Sequence, residues 1–495
     1  MPASTAPPFT DQRLLVVGLA REGGVAARWL AERGAQVVVS DIRPAESLAD
    51  MTTPLKQLGV TVRLGPQTPD LLKNIDALVV SPGVPQDIPL LQAARTQNIP
   101  LTSETRLFAQ HCPAPIIGVT GSSGKTTTAT LTAKMLETSG LRTWLGGNIG
   151  EPLLGRLTDI RPTDRVVMEL SSFQLLYWSE QPPQSPRRNL PWRQTQGLSP
   201  HIAAVLNITP NHLDRHPSMA HYTAAKAQIL AHQQADDLAI LSHDDAVTAA
   251  WASSKRLSIA AGSGQEAFGA PLKGRVMTFG LSQRPHNDGS WLEEDQIWLR
   301  WQGEPQALTP ISAIRLRGRH NLANILAACC LAAAGGATPA AMIEVITGFT
   351  GVAHRLEEVG HHAGALWVND SIATSPERSL AALRSFDEPL ILLAGGRDKH
   401  LPWQDWAAEV HQRVREIITF GEAAPLIEAV LTPIPADSQL QEIHHGQDLP
   451  GAVALAQRLA RPGDVVLLSP GGTSYDAYVD FAARGRHFRA LVATL

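Results

Sequence analysis

The sequence has 495 residues, of which 44% are hydrophobic and 18% charged, and its formal net charge is −4. A chain of this length corresponds to about three domains, and this composition is typical of a globular protein with sizeable cores. The small negative charge gives no reason to expect binding to nucleic acid or to an anionic membrane. These properties indicate an ordinary folded globular protein.

Several features predict a cytoplasmic location. The first residues, MPASTAPPFTDQ, lack the basic and apolar regions of a secretion signal. No window approaches the ~18 consecutive apolar residues of a membrane span. The three cysteines, Cys112, Cys329 and Cys330, form neither a disulfide framework nor a spaced metal site, as expected in a reducing compartment.

Residues 1–105 are predicted to form a Rossmann-like domain. Strand-like segments LLVVGL, VVVSD, VTVRLG and ALVVSPG alternate with helix-like segments, which indicates a parallel sheet. The first strand ends at Gly18 and the second at Asp41, a spacing that also occurs in dinucleotide-binding folds. Because the loop GLAREG lacks the middle glycine of G-x-G-x-x-G, another nucleotide or a sugar diphosphate is favoured over NAD. An NAD-linked oxidoreductase is the alternative from a different class.

Residues 106–350 contain the segment GVTGSSGKTTT (118–128), between an apolar run and a predicted helix. The order strand, glycine loop and helix forms a cradle for phosphates. Lys125 can reach the outer phosphates, and a hydroxyl of the following threonines can hold Mg²⁺. The strict P-loop pattern fails by one residue, because Val119 stands where it requires glycine. The context still predicts an ATP site; a nucleotide-gated binding module without ligase activity is a further alternative.

Other polar residues of this central segment are candidates for the same site. Glu169 ends the predicted strand VVMEL, where a Mg²⁺-binding acid belongs. His212 follows another strand in NHLDRH, although taken alone it is better explained as a loop histidine bonded to the backbone. Lys226 lies on the predicted helix YTAAKAQILAH. Asn321 and Asn324 lie one turn apart and suit either an adenine edge or a helix cap.

Two stretches of the central segment are irregular. Residues 181–200 are rich in proline and arginine and are expected to form an exposed insert, to which we assign no function. Residues 273–310, with an N-D-G turn at 287–289, predict short strands and hairpins.

Residues 351–495 show a third alternating pattern, which predicts a second Rossmann-like domain. The strands ALWVND, PLILLAGG, EIITFG and DVVLLSP alternate with predicted helices. Functional side chains in such sheets gather at the carboxyl ends of the strands. Here those ends carry 370–371, 395–399 and 469–474, which places polar groups on one rim.

The order and number of these motifs resemble the Mur ligase superfamily of ATP-dependent amide ligases. The resemblance covers nearly the whole chain and rests on the following segments: GVTGSSGKTTT, GNIG, ELSSFQL, NHLDRH, YTAAK, GRHNLAN, GVAHRLE, VNDSIATSPE, LLAGGRDK and SPGGTSYDAYVDFAARGRHF. It implies three α/β domains, with UDP-sugar bound by 1–105, ATP by 106–350 and an amino acid by 351–495. It also implies ADP-forming addition of glutamate, expected to be D-glutamate, to UDP-N-acetylmuramoyl-L-alanine through an acyl phosphate, in peptidoglycan precursor synthesis.

The resemblance further implies the residues of the site. The catalytic residues would be Lys125, Glu169, His212 and Lys226. ATP would be bound by Gly121, Ser122, Ser123, Gly124, Lys125, Thr126, Thr127, Asn321, Asn324, Arg355 and Asp370. Mg²⁺, at two sites, would be held by Thr126, Glu169, His212 and Lys226 once carbamylated. UDP-sugar would be bound by Gly18, Leu19, Ala20, Arg21, Asp41, Arg43, Ser81, Pro82, Gly83, Asn148 and Ser171, and glutamate by Lys399, Ser474, Tyr475 and Phe481.

One departure from the family pattern leaves the amino-acid substrate open. Ile372 stands in NDSIATSPE where many members have lysine. Lys399, Arg378 or Arg397 could supply the missing cation. The alternatives within the superfamily are therefore an L-glutamate-adding ligase and a folylpolyglutamate-type ligase. The expected partners are small-molecule substrates, without nucleic acid or membrane, and the chain is expected to act as a monomer.

Overall fold

A computed structural model describes residues 9–10, 12–178, 197–213, 215–260, 267–316, 318–398 and 401–495. Lys399 and most of the predicted insert therefore lie outside the described residues. The chain divides into two compact units, Met1–Ile314 with Arg319–Gly348, and Arg315–Gly318 with Phe349–Leu495. Each of the three predicted α/β segments contributes its own main sheet, which agrees with the predicted fold class. The predicted boundaries at 105 and 350 stay predictions. Within the described ranges, no helix is both long and apolar enough to cross a membrane.

The first sheet has five parallel strands in the order β3-β2-β1-β4-β5. Its strands are β1 (Arg13–Val17), β2 (Gln36–Asp41), β3 (Thr61–Leu64), β4 (Ala77–Val80) and β5 (Leu101–Thr102). The helices of this region are α1 (Arg21–Ala31), α2 (Ala49–Gln57), α3 (Pro89–Thr96) and α4 (Glu104–His111). Successive residues of β1, from Leu14 to Val17, are all buried, as expected of a parallel strand covered on both faces. The strand order reverses between β1 and β4, so a ligand crevice is expected at their carboxyl ends.

The central sheet has nine strands in the order β16-β15-β14-β13-β10-β9-β6-β8-β7. Its strands are β6 (Ile116–Thr120), β7 (Thr143–Gly147), β8 (Arg165–Glu169), β9 (Ile202–Val205), β10 (Leu238–Ser242), β13 (Arg275–Gly280), β14 (Gly289–Glu293), β15 (Gln296–Arg300) and β16 (Gln306–Pro310), and a separate antiparallel pair is β11 (Arg256–Ala260) with β12 (Ala267–Pro271). The helices are α5 (Lys125–Thr138), α6 (Ser172–Leu175), α7 (Met219–Ala231), α8 (Ala246–Ser254), α9 (Arg319–Gly335) and α10 (Pro339–Gly348). Because β6 pairs in parallel with β8 and β9, the segments that follow these three strands meet at one edge.

The hairpins predicted within 273–310 are present as the antiparallel pairs β14–β15 and β15–β16. The N-D-G sequence, however, does not make a hairpin, since β13 and β14 on either side of it are parallel. The tight turn lies instead at Glu294 and Asp295, both of which have positive φ.

The sheet of the second unit has the order β17-β18-β22-β19-β20-β21. Its strands are β17 (Glu357–His362), β18 (Ala365–Asn369), β19 (Leu390–Gly395), β20 (Val414–Phe420), β21 (Glu442–His445) and β22 (Val465–Gly471), and its helices are α11 (Pro376–Leu383), α12 (Gln404–Arg413), α13 (Ala424–Leu431), α14 (Leu449–Leu459) and α15 (Phe481–Val492). All neighbours are parallel except β17, which pairs antiparallel with β18. The two edge strands read EEVGHH and EIHH, so both edges carry glutamate and histidine.

Candidate active site

The glycine loop lies between β6 and α5 and is held rigidly. Gly124, with φ +81°, precedes the helix, and a Cβ placed on it would come 2.1 Å from Oδ1 of Asn324. Only glycine satisfies both the left-handed backbone and this close approach. The main-chain N–H of Ser122 donates to the Asn207 carbonyl at 3.0 Å, and that of Ser123 donates to Asn207 Oδ1 at 2.9 Å. The loop therefore presents the N-terminus of a 14-residue helix, a favourable place for phosphate.

The residues predicted to bind metal meet at the end of β8. Glu169 is only 2% exposed, and its two oxygens accept hydrogen bonds from different elements. Thr126 Oγ1 donates to Oε2 at 2.8 Å, and Asn148 Nδ2 donates to Oε1 at 2.8 Å. A buried carboxylate beside a hydroxyl is an oxygen-rich donor set of the kind that Mg²⁺ prefers. Asn148, predicted as a UDP-sugar residue, thus contacts the carboxylate predicted to bind metal.

Two lysines converge on the same loop. Lys125 Nζ donates to the carbonyls of Gly121 at 2.9 Å and Ser122 at 3.3 Å. Lys226 is 1% exposed, and its Nζ donates to the same Gly121 carbonyl at 2.8 Å. Burial, reinforced by the charge of Lys125 and partly offset by Glu169, lowers the pKa of Lys226 well below its usual value. Lys226 therefore has an increased tendency to be a neutral, nucleophilic amine.

The histidine loop packs against the segment that follows Glu169. His212 has φ +55°, and its ring lies 5.2 Å from that of Phe173, edge to face. His216 stacks on Phe173 at 5.1 Å, and its Nε2 lies 3.0 Å from Ser172 Oγ. Burial, with the charge of His221, lowers the pKa of His216 to about 4. Sequence reasoning gave His216 no role, although it lies in the same short polar loop as His212.

The two predicted adenine-binding amides lie together beside the phosphate loop. Asn324 Nδ2 donates to Asn321 Oδ1 at 3.1 Å, and both residues are buried at the start of α9. Oδ1 of Asn324 is the atom that approaches Gly124. The structure brings these amides to the loop, and their role toward adenine stays a prediction.

The residues predicted to hold the UDP end also come together, at the carboxyl ends of β1, β2 and β4. Gly18 has φ +87°, and its carbonyl accepts from Ser81 Oγ at 2.7 Å. Asp41 accepts from the Leu19 N–H at 2.7 Å and forms a bidentate ion pair with Arg43 at 2.9–3.0 Å. Arg43 also donates to the Leu19 carbonyl at 3.1 Å. The other predicted residues of this crevice lie next to these contacts in the chain. Ala20 and Arg21 lie at the start of α1, and Pro82 and Gly83 follow Ser81.

The second unit places its predicted residues on one rim of its sheet. Asp370 is buried and accepts from Ser469 Oγ at 2.9 Å and from the Leu356 N–H at 3.2 Å. Burial raises the pKa of Asp370 to about 7 against the opposing effects of the Ser469 hydrogen bond and of Arg355. Ser474 is buried, whereas the next residue, Tyr475, is 65% exposed.

The basic residues that could replace the missing lysine differ in the charged groups that they contact. Arg397 forms an ion pair with Glu422 through two hydrogen bonds of 2.7 and 2.9 Å. Arg378 acts electrostatically on Asp370. Lys399 lies outside the described residues. Which of Lys399, Arg378 and Arg397 supplies the missing cation stays a prediction.

Sequence reasoning missed Arg484, which holds the rim together. This arginine is 0% exposed, and it donates five hydrogen bonds of 2.9–3.2 Å, to Ser371 Oγ and to the carbonyls of Ser371, Gly472 and Thr473. Ser371 Oγ in turn donates to the carbonyl of Phe481 at 2.8 Å, which ties a predicted glutamate residue to the same cluster. The sequence shows Arg484 only as part of the tail motif FAARG and gives no sign that its side chain is buried.

Comparisons with known proteins cover all three regions. The Mur ligase MurD-like N-terminal domain matches residues 12–103, the Mur ligase middle domain residues 119–332, and the Mur ligase glutamate ligase domain residues 354–472. The UDP-N-acetylmuramoylalanine–D-glutamate ligases of Symbiobacterium thermophilum and Geotalea daltonii are 38% and 37% identical, each over 98% of both chains.

Solved structures support the fold. The UDP-N-acetylmuramate-alanine ligase MurC of Thermotoga maritima has a TM-score of 0.54 at 18% identity, covering 97% of this chain and 99% of its own. MurF of Acinetobacter baumannii has a TM-score of 0.52 at 17% identity, covering 97% and 93%. The fold, the motifs and the full-length identity lead to one conclusion: the chain belongs to the Mur ligase family.

Proposed function

We propose that this protein joins D-glutamate to UDP-N-acetylmuramoyl-L-alanine at the expense of ATP, in peptidoglycan precursor synthesis. The observation that carries the proposal is the meeting of Lys125, Thr126 and Glu169 at the end of the central sheet. This arrangement offers a phosphate cradle directly beside a buried carboxylate. The activity named for relatives with 38% and 37% identity over the whole chain supports the same reaction. The MurD-like match over residues 12–103 disfavours the NAD-linked alternative for that region.

The chemistry proceeds in two transfers. The L-alanine carboxylate of the acceptor attacks the γ-phosphate of ATP, which forms an acyl phosphate and releases ADP. The amine of glutamate then attacks the acyl carbon, and the tetrahedral intermediate collapses to the amide and phosphate. Lys125 and the N–H groups at the start of α5 stabilise the negative charge that develops on the transferred phosphoryl group.

Mg²⁺ suits the donors that surround the phosphate loop. Thr126, Glu169, His212 and a carbamylated Lys226 would hold it, at two sites, and when bound it would neutralise charge on the phosphate oxygens. Glu169 and the Thr126 hydroxyl already contact each other, and Lys226 shares the Gly121 carbonyl with Lys125. An unmodified ammonium would repel a cation, so a carbamate at Lys226 fits this role better.

We expect Lys226 to carry a carbamate in the active enzyme. Its lowered pKa favours the neutral amine, which attacks CO₂ to form an N–C bond and releases a proton to solvent. Stripping CO₂ from the buffer is expected to lower kcat, and added bicarbonate is expected to restore it. With ¹³C-bicarbonate, NMR should show a carbamate resonance that disappears in Lys226→Met. Full activity without CO₂, together with no labelled carbamate, would contradict the assignment.

The remaining substrate contacts extend over the first and third regions. We assign the UDP end to the crevice formed by Gly18, Asp41, Arg43 and Ser81, and the muramoyl-alanine end to Asn148 and Ser171. ATP extends from the phosphate loop toward Asn321 and Asn324, with Arg355 and Asp370 as further contacts. Glutamate is assigned to Lys399, Ser474, Tyr475 and Phe481.

The amino-acid substrate is tested by comparing the two enantiomers of glutamate. Ile372 stands in the loop after β18 where many family members have lysine, and this departure leaves addition of L-glutamate as the second candidate function. Phosphate release with UDP-N-acetylmuramoyl-L-alanine and ATP is expected to depend on D-glutamate and not on L-glutamate. A folate acceptor in place of the UDP-sugar serves as the control and should give no release. Turnover with L-glutamate alone would favour the second candidate, and no turnover of the UDP-sugar would overturn the proposal.

A further inference from the structure

A buried acid at the start of α1 contacts the segment that follows Glu169. Glu22 is 7% exposed, and its Oε1 accepts a hydrogen bond of 2.8 Å from Nε2 of Gln174. The two residues are 152 positions apart, so this bond joins the first sheet region to the central one. Gln174 is completely buried within the short helix α6.

The other end of the Gln174 amide fixes Ser171. Gln174 Oε1 accepts from the Ser171 N–H at 2.9 Å and from its hydroxyl at 3.1 Å, while the Gln174 N–H donates to Ser171 Oγ at 3.2 Å. This reciprocal capping box starts α6 only two residues after Glu169. The position of Ser171, a predicted contact of the acceptor, therefore depends on how the Gln174 side chain is oriented.

A carboxyl group at position 22 determines that orientation. The two ends of an amide have nearly the same shape, but only the NH₂ end can donate to a carboxylate. With Glu22 as acceptor, Nε2 must face α1 and Oε1 must face Ser171. A residue without an acceptor would leave a buried NH₂ group unsatisfied and remove the preference between the two orientations.

Burial of the Glu22 carboxyl group costs free energy of folding, which argues against a role in packing alone. Oε2 of Glu22 has no hydrogen-bond partner among the described residues. Burial raises the pKa of Glu22 to about 7, against the opposing effects of Gln174 and Arg21. Glu104, at the start of α4, is likewise buried, and burial and the charge of Glu22 raise its pKa to about 8. An apolar side chain would fill the same volume without this desolvation penalty.

We propose that Glu22 is a positioning residue for the ligation reaction, which acts through Gln174 to place Ser171 and the acceptor substrate beside Glu169. Glu22 follows directly on the Gly18–Arg21 loop, which is assigned to the UDP end. The bond to Gln174 thus links the two places where the same acceptor molecule is held. This inference rests on the proposed function, because it concerns the geometry of that acceptor.

The test compares two replacements of Glu22 in the full-length enzyme. Glu22→Met keeps the volume but removes the acceptor, and it is expected to lower kcat/KM for UDP-N-acetylmuramoyl-L-alanine by roughly 10–100-fold. The KM for ATP should not change, and the melting temperature should change little, because removal of the buried carboxyl group offsets the NH₂ group of Gln174 that is left unsatisfied. Glu22→Gln retains an oxygen that can accept from Gln174 and should recover most of the activity. Glu32→Ala, which removes an exposed acid just beyond the end of the same helix, is the matched control.

A double-mutant cycle tests whether Glu22 acts through Gln174. In a Gln174→Ala background, Glu22→Met is expected to cause no further loss of kcat/KM. Independent, multiplicative losses would overturn the inference, and so would a Glu22→Met enzyme with unchanged kinetics or an equal loss in Glu22→Gln. Failure of the wild-type enzyme to use the UDP-sugar would instead overturn the proposed function, so the two failures are distinguishable.

Discussion

Replacing Lys125 by methionine is expected to lower kcat by about 10³-fold or more, because the transferred phosphoryl group loses the cation at the start of α5. Lys125 Nζ lies 2.9 Å from the Gly121 carbonyl, within the loop that precedes the helix. Methionine has a similar length and no charge, so the loop backbone should be retained. The measurement is the initial rate of phosphate release with ATP, D-glutamate and UDP-N-acetylmuramoyl-L-alanine.

The matched control for this variant is Lys134→Met. Lys134 is exposed on the same helix, two turns or more from the loop, and its replacement should leave kcat unchanged. A Lys125→Met enzyme that forms the amide at the wild-type rate would contradict the assignment of the transferred phosphoryl group to this loop. Normal binding of the UDP-sugar by the slow variant would show that the first region is intact.

Replacing Arg484 by methionine is expected to destabilise the protein by about 3–5 kcal/mol, since a buried network loses the side chain that donates to several of its main-chain carbonyls. The guanidinium donates to Ser371, Gly472 and Thr473, which lie on loops after two different strands. Without it, these loops should separate and the KM for glutamate should rise. The measurements are urea unfolding of the full chain and the glutamate dependence of the rate.

Two further variants separate charge from geometry at this position. Arg484→Lys retains the charge but cannot reproduce the planar set of five bonds, so it should remain markedly destabilised. Arg486→Met removes an exposed arginine two residues away and should have little effect on either measurement. Equal stability of the Arg484→Met and Arg486→Met proteins would show that the network is dispensable.

The sequence predicted those parts of the fold that depend on local pattern. Alternating apolar segments and helices predicted parallel sheets, and polar residues at strand ends predicted the edge at which Glu169 would be found. The glycine loop was correctly located despite Val119, because the strand before it and the helix after it set its shape. The N-D-G sequence is typical of a hairpin turn, but it does not show whether the strands on either side pair in parallel or antiparallel, and here they are parallel.

The rest could not be predicted because it depends on contacts between distant residues. Nothing in the sequence near Glu22 indicates that its partner is Gln174, and Arg484 is charged like any residue on a helix surface. Asn148 is predicted to contact the muramoyl substrate, and the parallel register of β7 with β8 also brings it against Glu169, a contact that the sequence does not indicate. In each case the partner is fixed by the packing of whole elements and not by the local sequence.

The edges of the sheet in the second unit have a consequence for behaviour in concentrated solution. An unpaired strand can recruit the same strand of another copy, which leads to aggregation. Here β17 and β21 carry glutamate and histidine side chains along both edges. Charged side chains on an edge strand oppose pairing with the same strand of another copy, so growth of a continuous intermolecular sheet is disfavoured from either side.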